Sequence, residues 1–236
     1  SQGVWLASNE NSEQINYLSR WKSVNSDISS DNTYKKSRNK RSEIAFNFIG
    51  DSIKLKYVSS PRKGHAEVFI DGHSKGMIDY YSPTKTINTF SVRDLDANQV
   101  HTVVLKHVNG TITFDGVELD GQLVESNSRI ENVKTQISGN IGPSAENLQV
   151  NDHLIEVLEN TTLVNAVLSW SGIADLDFEL VDNDGTVLAN SSSLDNPEEI
   201  SFRPTAAGIY LLRVNGYIAA SADYTIDVTL SNMYVN

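Results

Sequence analysis

Turn signals recur along this 236-residue chain at a spacing of about 8–12 residues, and this regularity constrains the fold more than any other feature. Between the turns, apolar residues alternate with polar ones, and helical periodicity is almost absent. Three turn signals pair a residue that tolerates positive φ with glycine, as two-residue hairpin loops require. They are Asp71-Gly72, Asn109-Gly110 and Asp115-Gly116. The sequence therefore predicts short antiparallel strands joined by tight turns.

Individual strands favour a two-layer arrangement. Ile44, Phe46 and Phe48 fall on one face of a strand, and Val68 and Ile70 fall on one face of another. Such half-buried strands are typical of antiparallel sandwiches, in which each sheet packs one face against the core. The fold class predicted is all-β, with two antiparallel β-sandwich domains of the jelly-roll or Greek-key type in tandem.

The distribution of charge favours two domains rather than one. Residues 1–125 contain 15 lysines and arginines against 15 aspartates and glutamates, whereas residues 126–236 contain 4 against 15. The net charge of −11 therefore belongs to the second part, and two such different surfaces indicate two modules. We predict a first module at residues 1–125, a polar linker at 126–140 and a second module at 141–236.

Composition also restricts the compartment and the partners. The chain has no cysteine, which excludes disulfides and thiolate metal sites. It contains no apolar run of about 18 residues of the kind that spans a bilayer. The acidic second module disfavours nucleic acid, whose phosphates require a basic face. We expect a secreted, extracellular and monomeric piece of a longer protein, with no nucleic-acid partner and no membrane span.

Residues 168–224 contain a series of motifs in a distinctive order. They are Trp170, Asp-Leu-Asp at 175–177, Asp-Gly at 184–185, Asn-Pro-Glu at 196–198 and Gly-Ile-Tyr at 208–210. In this order they resemble the bacterial pre-peptidase C-terminal domain, a small β-sandwich attached to secreted peptidases and other exported enzymes. The resemblance covers residues 140–230, and it implies an accessory domain without catalytic residues.

The first module has a resemblance of its own, over residues 16–124. Its motifs are Tyr-Leu-Ser-Arg-Trp at 17–21, Ile-Ala-Phe-Asn-Phe-Ile-Gly at 44–50, Gly-His-Ala-Glu-Val-Phe-Ile-Asp-Gly at 64–72 and Ile-Asp-Tyr-Tyr at 78–81. This layout is similar to that of jelly-roll modules found beside glycoside hydrolases and other secreted bacterial enzymes. The resemblance implies carbohydrate binding.

The sequence lacks the common motifs of hydrolytic catalysis. There is no Gly-x-Ser-x-Gly nucleophile elbow, and the histidines show no His-Glu-x-x-His spacing. A glycosidase needs only two carboxylates placed by the fold, a requirement that sequence alone does not test. We therefore expect no enzyme activity in this chain, and we expect its parent protein to be an enzyme.

Aromatic side chains are the candidate ligand contacts of the first module, because the C–H-rich faces of sugars pack on aromatic rings while polar groups set the orientation. Tyr80 and Tyr81 are adjacent, so one ring of an extended segment points inward and the other outward. The outward ring, with Asp79 beside it, is the preferred contact. For Trp21 the alternative is a position in the core. The predicted ligand-binding residues are Trp21, Tyr34, Asp79, Tyr80 and Tyr81.

Carboxylates are grouped in one part of the second module. Asp175 and Asp177 share a strand face, and Asp182 and Asp184 follow in the next turn. Such a group offers the oxygen ligands that Ca²⁺ prefers, and we predict a calcium site at these four residues. The alternative is an ordinary hairpin turn, in which aspartates accept hydrogen bonds from backbone N–H groups.

The function expected is that of a non-catalytic accessory region of a secreted, multidomain bacterial peptidase or glycoside hydrolase. The first module would bind a polysaccharide or another extracellular polymer and target the parent enzyme to it. Two alternatives stay open. The modules serve only as spacers or in secretion or maturation, or the second module binds collagen or another protein through exposed tyrosines such as Tyr217.

Overall fold

The computed structural model describes residues 5–143, 149–217 and 221–236, and the regular elements within these ranges are β-strands. The chain divides into two units, which we call the N-terminal unit (residues 2–129 with 235–236) and the C-terminal unit (residues 130–234). Each is built from antiparallel sheets, so the predicted all-β class is confirmed. Within the described ranges, no helix has the length and apolar character needed to cross a membrane.

The N-terminal unit consists of short strands. They are β1 (Leu6–Asn9), β2 (Asn16–Leu18), β3 (Lys22–Asn25), β4 (Thr33–Ser37), β5 (Glu43–Ile49), β6 (Ile53–Ser59), β7 (Gly64–Ile70), β8 (His73–Asp79), β9 (Thr86–Val92), β10 (Val100–Gly110), β11 (Ile112–Phe114), β12 (Gly116–Leu119) and β13 (Gln122–Val124). They form a sheet in the order β1-β12-β6-β9, a second in the order β13-β5-β10-β7-β8 with β2 beside β5, and a third in the order β11-β4-β3.

Alternating apolar residues fill the core of the N-terminal unit. Ile44, Phe46 and Phe48 of β5 are all buried, as their spacing predicts. On the neighbouring strand β10, Val103 lies opposite Phe46 and Leu105 lies opposite Ile44, and both are buried. Burial of one large apolar side chain stabilises a fold by about 1.5–3 kcal/mol. These pairs therefore fix the register of the two strands, because a slip by one residue would expose every one of them.

The predicted turns differ in what they connect. Asp71 and Gly72 have φ values of 52° and 81° and join β7 to β8 as a hairpin, as predicted. Asn109-Gly110 instead ends β10 before β11, and Asp115-Gly116 joins β11 to β12. In both cases the flanking strands belong to different sheets. A local Asx-Gly signal does not show which sheet the next strand joins, and these two hairpin predictions were wrong for that reason.

The C-terminal unit has longer strands. They are β14 (Ser128–Ile141), β15 (Gln149–Val157), β16 (Thr161–Trp170), β17 (Asp175–Val181), β18 (Val187–Ser191), β19 (Glu198–Phe202), β20 (Gly208–Tyr217) and β21 (Ala222–Val235). One sheet has the order β14-β21-β16-β19, and the other has the order β15-β20-β17-β18. Phe178, Leu212 and Ile226 are fully buried among the side chains of its core.

The segment predicted as a linker, residues 126–140, is a β-strand for most of its length. Strand β14 pairs with β21 at the edge of a sheet. Residues 131–136 of this strand are exposed, whereas Ile137 packs against the core and Ile141 is buried in it. The linker prediction was wrong because an edge strand with mostly exposed side chains has few apolar positions to reveal it.

Candidate functional site

The two adjacent tyrosines that follow β8 point in opposite directions. Tyr80 is buried, with 1% of its surface exposed, whereas Tyr81 is 49% exposed. The Tyr80 ring packs edge-to-face on Tyr57, and the two ring centroids are 5.1 Å apart. This is the alternation expected of an extended segment, and Tyr81 is its outward ring.

Backbone hydrogen bonds hold the segment that carries Tyr81. The N–H of Ser60 donates to the Tyr80 carbonyl at 3.1 Å, and the N–H of Ser82 donates to the Ser60 carbonyl at 2.8 Å. An isolated parallel bridge also joins Ser60 to Tyr81. The N–H of Tyr81 donates to Asp79 Oδ1 at 3.0 Å. Because the backbone is already ordered, little conformational entropy is lost when a ligand packs on this ring.

Asp79 is an exposed carboxylate at the end of β8, immediately before the tyrosine pair. Its Oδ1 lies 3.7 Å from His65 Nε2 as well as accepting the Tyr81 N–H. Burial, followed by the charge of Asp79, raises the pKa of Tyr57. Asp79 therefore places a hydrogen-bond acceptor for a polar ligand beside the exposed ring.

Two basic residues, Lys85 and Arg62, lie near the buried Tyr34 ring. Lys85 Nζ lies 5.3 Å from the centroid of the Tyr34 ring. Burial raises the pKa of Tyr34, and the charge of Arg62 partly offsets that rise, which places Arg62 near the same ring. We call Asp79 and Tyr81 the Tyr81 surface. In the sequence, Arg62 lies two residues after Ser60, which is bridged to Tyr81, and Lys85 lies four residues after Tyr81. Arg62 and Lys85 were not predicted from the sequence, because loop positions carry no periodic signal.

The other predicted ligand contacts have structural roles. Tyr34 and Tyr80 are 8% and 1% exposed, so neither offers a ring face to a ligand. This corrects their assignment as contacts, since residue type alone does not show which strand face is buried. Trp21 packs edge-to-face on Tyr17 at 5.5 Å and donates its Nε1–H to the Leu18 carbonyl at 3.1 Å. It takes the core-associated position that was its alternative.

The four aspartates predicted to bind calcium lie on and beside β17. Asp182 Oδ1 accepts the N–H groups of Asp184 at 2.9 Å and Thr186 at 2.8 Å, which closes the hairpin turn. Asp175 and Asp177 are half-buried on the strand. In the part of the chain that the structure describes, these four do not form a group of three carboxylates within reach of one ion. Calcium at these residues stays a prediction.

A different set of carboxylates does converge. One oxygen each of Glu10, Asp31 and Asp115 lies within 4.8 Å of the other two. The three residues are far apart in the sequence and belong to different loops and strand junctions. No local spacing marks these three residues, so they were not predicted from the sequence.

A pair of carboxylates gives the N-terminal unit a pH dependence. Burial, and then the hydrogen bond and charge of Asp51, raise the pKa of Asp120 to about 6. The backbone N–H groups of Asp51 and Ser52 donate to Asp120 Oδ1 at 3.0 and 3.3 Å and oppose this rise. The folded state therefore holds the Asp120 proton more tightly than the unfolded chain does. The resulting stabilisation is complete below about pH 4 and is lost as the pH rises through about 6.

We expect Asp120→Asn to remove this part of the pH dependence. Between about pH 4 and pH 6.5, the wild type should lose about 1–2 kcal/mol of unfolding free energy relative to the variant, because asparagine does not ionise. Urea denaturation at a series of pH values measures the difference. Asp27→Asn, an exposed loop variant, is the control and should follow the wild type. A pH profile of Asp120→Asn parallel to that of the wild type would contradict the assignment.

No protein-family model matches the chain, and no curated protein sequence matches it. Among solved structures, a family two carbohydrate esterase from Cellvibrio japonicus is 15% identical over 51% of this chain and 35% of its own, with a TM-score of 0.41. A xanthan lyase from Paenibacillus is 10% identical over 94% of this chain and 26% of its own, with a TM-score of 0.46.

A third structure is the N-terminal CBM22-1-CBM22-2 tandem domain of Xyn10C from Paenibacillus barcinonensis. It is 12% identical over 98% of both chains, with a TM-score of 0.35. The chain spans about a third of the length of the family two carbohydrate esterases. It covers 35% of the esterase chain from Cellvibrio japonicus and 32% of the one from Clostridium thermocellum. Because these TM-scores lie below 0.5, functional inference rests on the geometry of the chain itself.

Proposed function

We propose that the N-terminal unit binds a polysaccharide at the Tyr81 surface, and that the chain is a non-catalytic accessory region of a secreted bacterial enzyme. The observation that carries the proposal is the Tyr81 ring, 49% exposed on a hydrogen-bonded backbone and next to the Asp79 carboxylate. The resemblance of this unit to jelly-roll modules of secreted enzymes points in the same direction.

The chemistry of the Tyr81 surface suits a sugar. A pyranose ring has C–H groups on its faces, which pack on the Tyr81 ring, and hydroxyl groups at its edge. Asp79 accepts hydrogen bonds from those hydroxyls. The aromatic contact supplies affinity, and the Asp79 carboxylate sets the orientation.

A single aromatic platform gives modest affinity, which is sufficient for an accessory module. Tethering the parent enzyme to an insoluble polymer raises the local concentration of enzyme at its substrate. Repeated binding along a polymer adds to the retention without any new contact. This function requires no reacting group in the chain.

For the C-terminal unit we propose an accessory role, with protein binding as the second candidate. Leu154 is 70% exposed on strand β15, which lies at a sheet edge, and Val150 of the same strand is 46% exposed. An edge strand with exposed apolar side chains accepts an extended segment of a partner. The side chain of Tyr217, expected to serve such binding, lies outside the described residues. A spacer or maturation role needs no such surface.

Retention on insoluble polymers tests the proposal. The full chain is mixed with cellulose, chitin, xylan, peptidoglycan or collagen, in calcium and in chelator, and the unbound fraction is measured after sedimentation. We expect retention on at least one polysaccharide. Retention on collagen alone would favour protein binding by the C-terminal unit. Absence of retention on every polymer would overturn the proposal in favour of a spacer or maturation role.

A further inference from the structure

Three acidic side chains from separate parts of the N-terminal unit meet at one point. Glu10 follows β1, Asp31 precedes β4, and Asp115 lies between β11 and β12. Their carboxylate oxygens lie within 4.8 Å of one another. Glu10 and Asp115 are only 0% and 1% exposed. Like charges this close and this far from water are strongly unfavourable unless a positive charge or a proton joins them.

Hydrogen bonds within the protein satisfy only part of this group. Thr33 Oγ1 donates to Glu10 Oε1 at 2.5 Å, and Asn11 Nδ2 donates to Asp31 Oδ2 at 3.1 Å. Glu10 Oε2 and Asp115 Oδ1 are buried and have no hydrogen-bond partner within the described ranges. Since buried polar atoms nearly always have a partner, these two oxygens indicate that the cluster accepts a further, positively charged group.

The loop before β4 carries two buried serines. The side chains of Ser26 and Ser29 are 8% and 6% exposed, and their hydroxyls have no hydrogen-bond partner in the described part of the chain. Burial raises the pKa of Asp115, against the opposing charge of Lys56. The Ser29 hydroxyl lies close enough to Asp115 to lower that pKa, although the two make no well-formed hydrogen bond. A hydroxyl oxygen of this loop thus lies beside one of the three carboxylates.

We propose that Glu10, Asp31 and Asp115 bind a calcium ion that joins the first strand, the loop before β4 and the β11–β12 junction. An anionic, all-oxygen set suits a hard cation. Calcium accepts six to eight oxygens at about 2.3–2.6 Å, so two ligands of one ion lie up to about 5 Å apart, in agreement with the 4.8 Å limit for this group. Magnesium, with bonds of about 2.0–2.1 Å, demands a more compact octahedron.

Calcium at this point would stabilise the folded unit. The ligands come from segments that are brought together only on folding, so the unfolded chain does not offer the same site. Binding to the folded state alone adds stability that grows with calcium concentration. The three carboxylates include no residue of the Tyr81 surface, and polysaccharide binding is not required for calcium binding.

Calorimetric titration and thermal unfolding of the full chain test the proposal. After removal of metal with a chelator, we expect one calcium ion to bind at the three carboxylates and to raise the unfolding temperature of the N-terminal unit by about 5 °C or more at saturation. Magnesium at the same concentration should have a much smaller effect. No binding heat and no shift in unfolding temperature with calcium would overturn the proposal.

Variants locate the ion. Asp31→Asn should weaken calcium binding by about 10-fold or more, and Glu10→Gln should abolish it. In chelator, both variants should be at least as stable as the wild type, because each removes a repelling charge. If the carboxylates had a purely structural role, both variants would be less stable than the wild type even in chelator. Asp184→Asn is the control and should bind calcium normally. Loss of binding in Asp184→Asn, with normal binding in Glu10→Gln, would place the ion in the C-terminal unit and refute the assignment.

Discussion

Replacement of Tyr80 by alanine is expected to lower the unfolding free energy of the N-terminal unit by about 3–5 kcal/mol. The ring is 1% exposed, packs on Tyr57 and belongs to the same core as Phe48. Removal of a buried aromatic ring loses its transfer free energy and leaves a cavity that the surrounding side chains fill only in part. Thermal unfolding should show a decrease of about 10 °C or more in the midpoint.

Tyr80→Phe separates packing from hydrogen bonding at the same position. The hydroxyl of Tyr80 is buried without a hydrogen-bond partner among the described residues, and burial raises its pKa. Loss of an unsatisfied hydroxyl is close to neutral or stabilising, by up to about 1 kcal/mol. If Tyr80→Ala were as stable as the wild type, the placement of this ring in the core would be wrong.

The second large effect is expected at Gly139 of β14, in the C-terminal unit. A Cβ atom at this position would overlap Cζ and Oη of Tyr224. That tyrosine is 2% exposed, and its hydroxyl lies 2.6 Å from His153 Nε2 and accepts Asn151 Nδ2 at 3.0 Å. The ring cannot withdraw without breaking these contacts, so Gly139→Ala should cost about 3 kcal/mol. Urea denaturation of the full chain measures the loss.

Gly142→Ala is the matched control for Gly139→Ala. Among the described residues, a Cβ atom at Gly142 would have only Gln149 Oε1 nearby, at 4.0 Å. We expect this variant to be neutral or slightly stabilising, because alanine restricts the unfolded chain more than glycine does. A flexible linker would tolerate both substitutions equally. Equal stability of the two variants would therefore contradict the packing of β14 against Tyr224.

Local patterns predicted the strands that fill the core. The alternation of Ile44, Phe46 and Phe48 matches their burial, and the positive φ values of Asp71 and Gly72 match a hairpin turn. These features follow from side-chain periodicity and from backbone sterics, both of which act over a few residues. The all-β class and the outward direction of one tyrosine in the adjacent pair followed from the same local rules.

Features that depend on distant contacts did not emerge from the sequence. Asp115-Gly116 has the composition of a hairpin turn, yet Asp115 is buried beside Glu10 and Asp31. Tyr34 and Tyr81 are the same residue type, but only the sheet arrangement exposes one of them and buries the other. The edge strand β14 resembles a linker because most of its side chains face water. In each case, the residues or strands that determine burial or pairing lie far away in the sequence.

Polysaccharide binding at Tyr81 is tested most directly by isothermal titration with soluble fragments of whichever polymer retains the wild-type chain. Tyr81→Ala should bind about 10- to 100-fold more weakly, because the aromatic platform is lost, and its unfolding temperature should match that of the wild type. Tyr234→Ala, which removes a 36% exposed tyrosine of the C-terminal unit, should bind normally. Unchanged affinity in Tyr81→Ala would contradict the assignment of this surface as the glycan site.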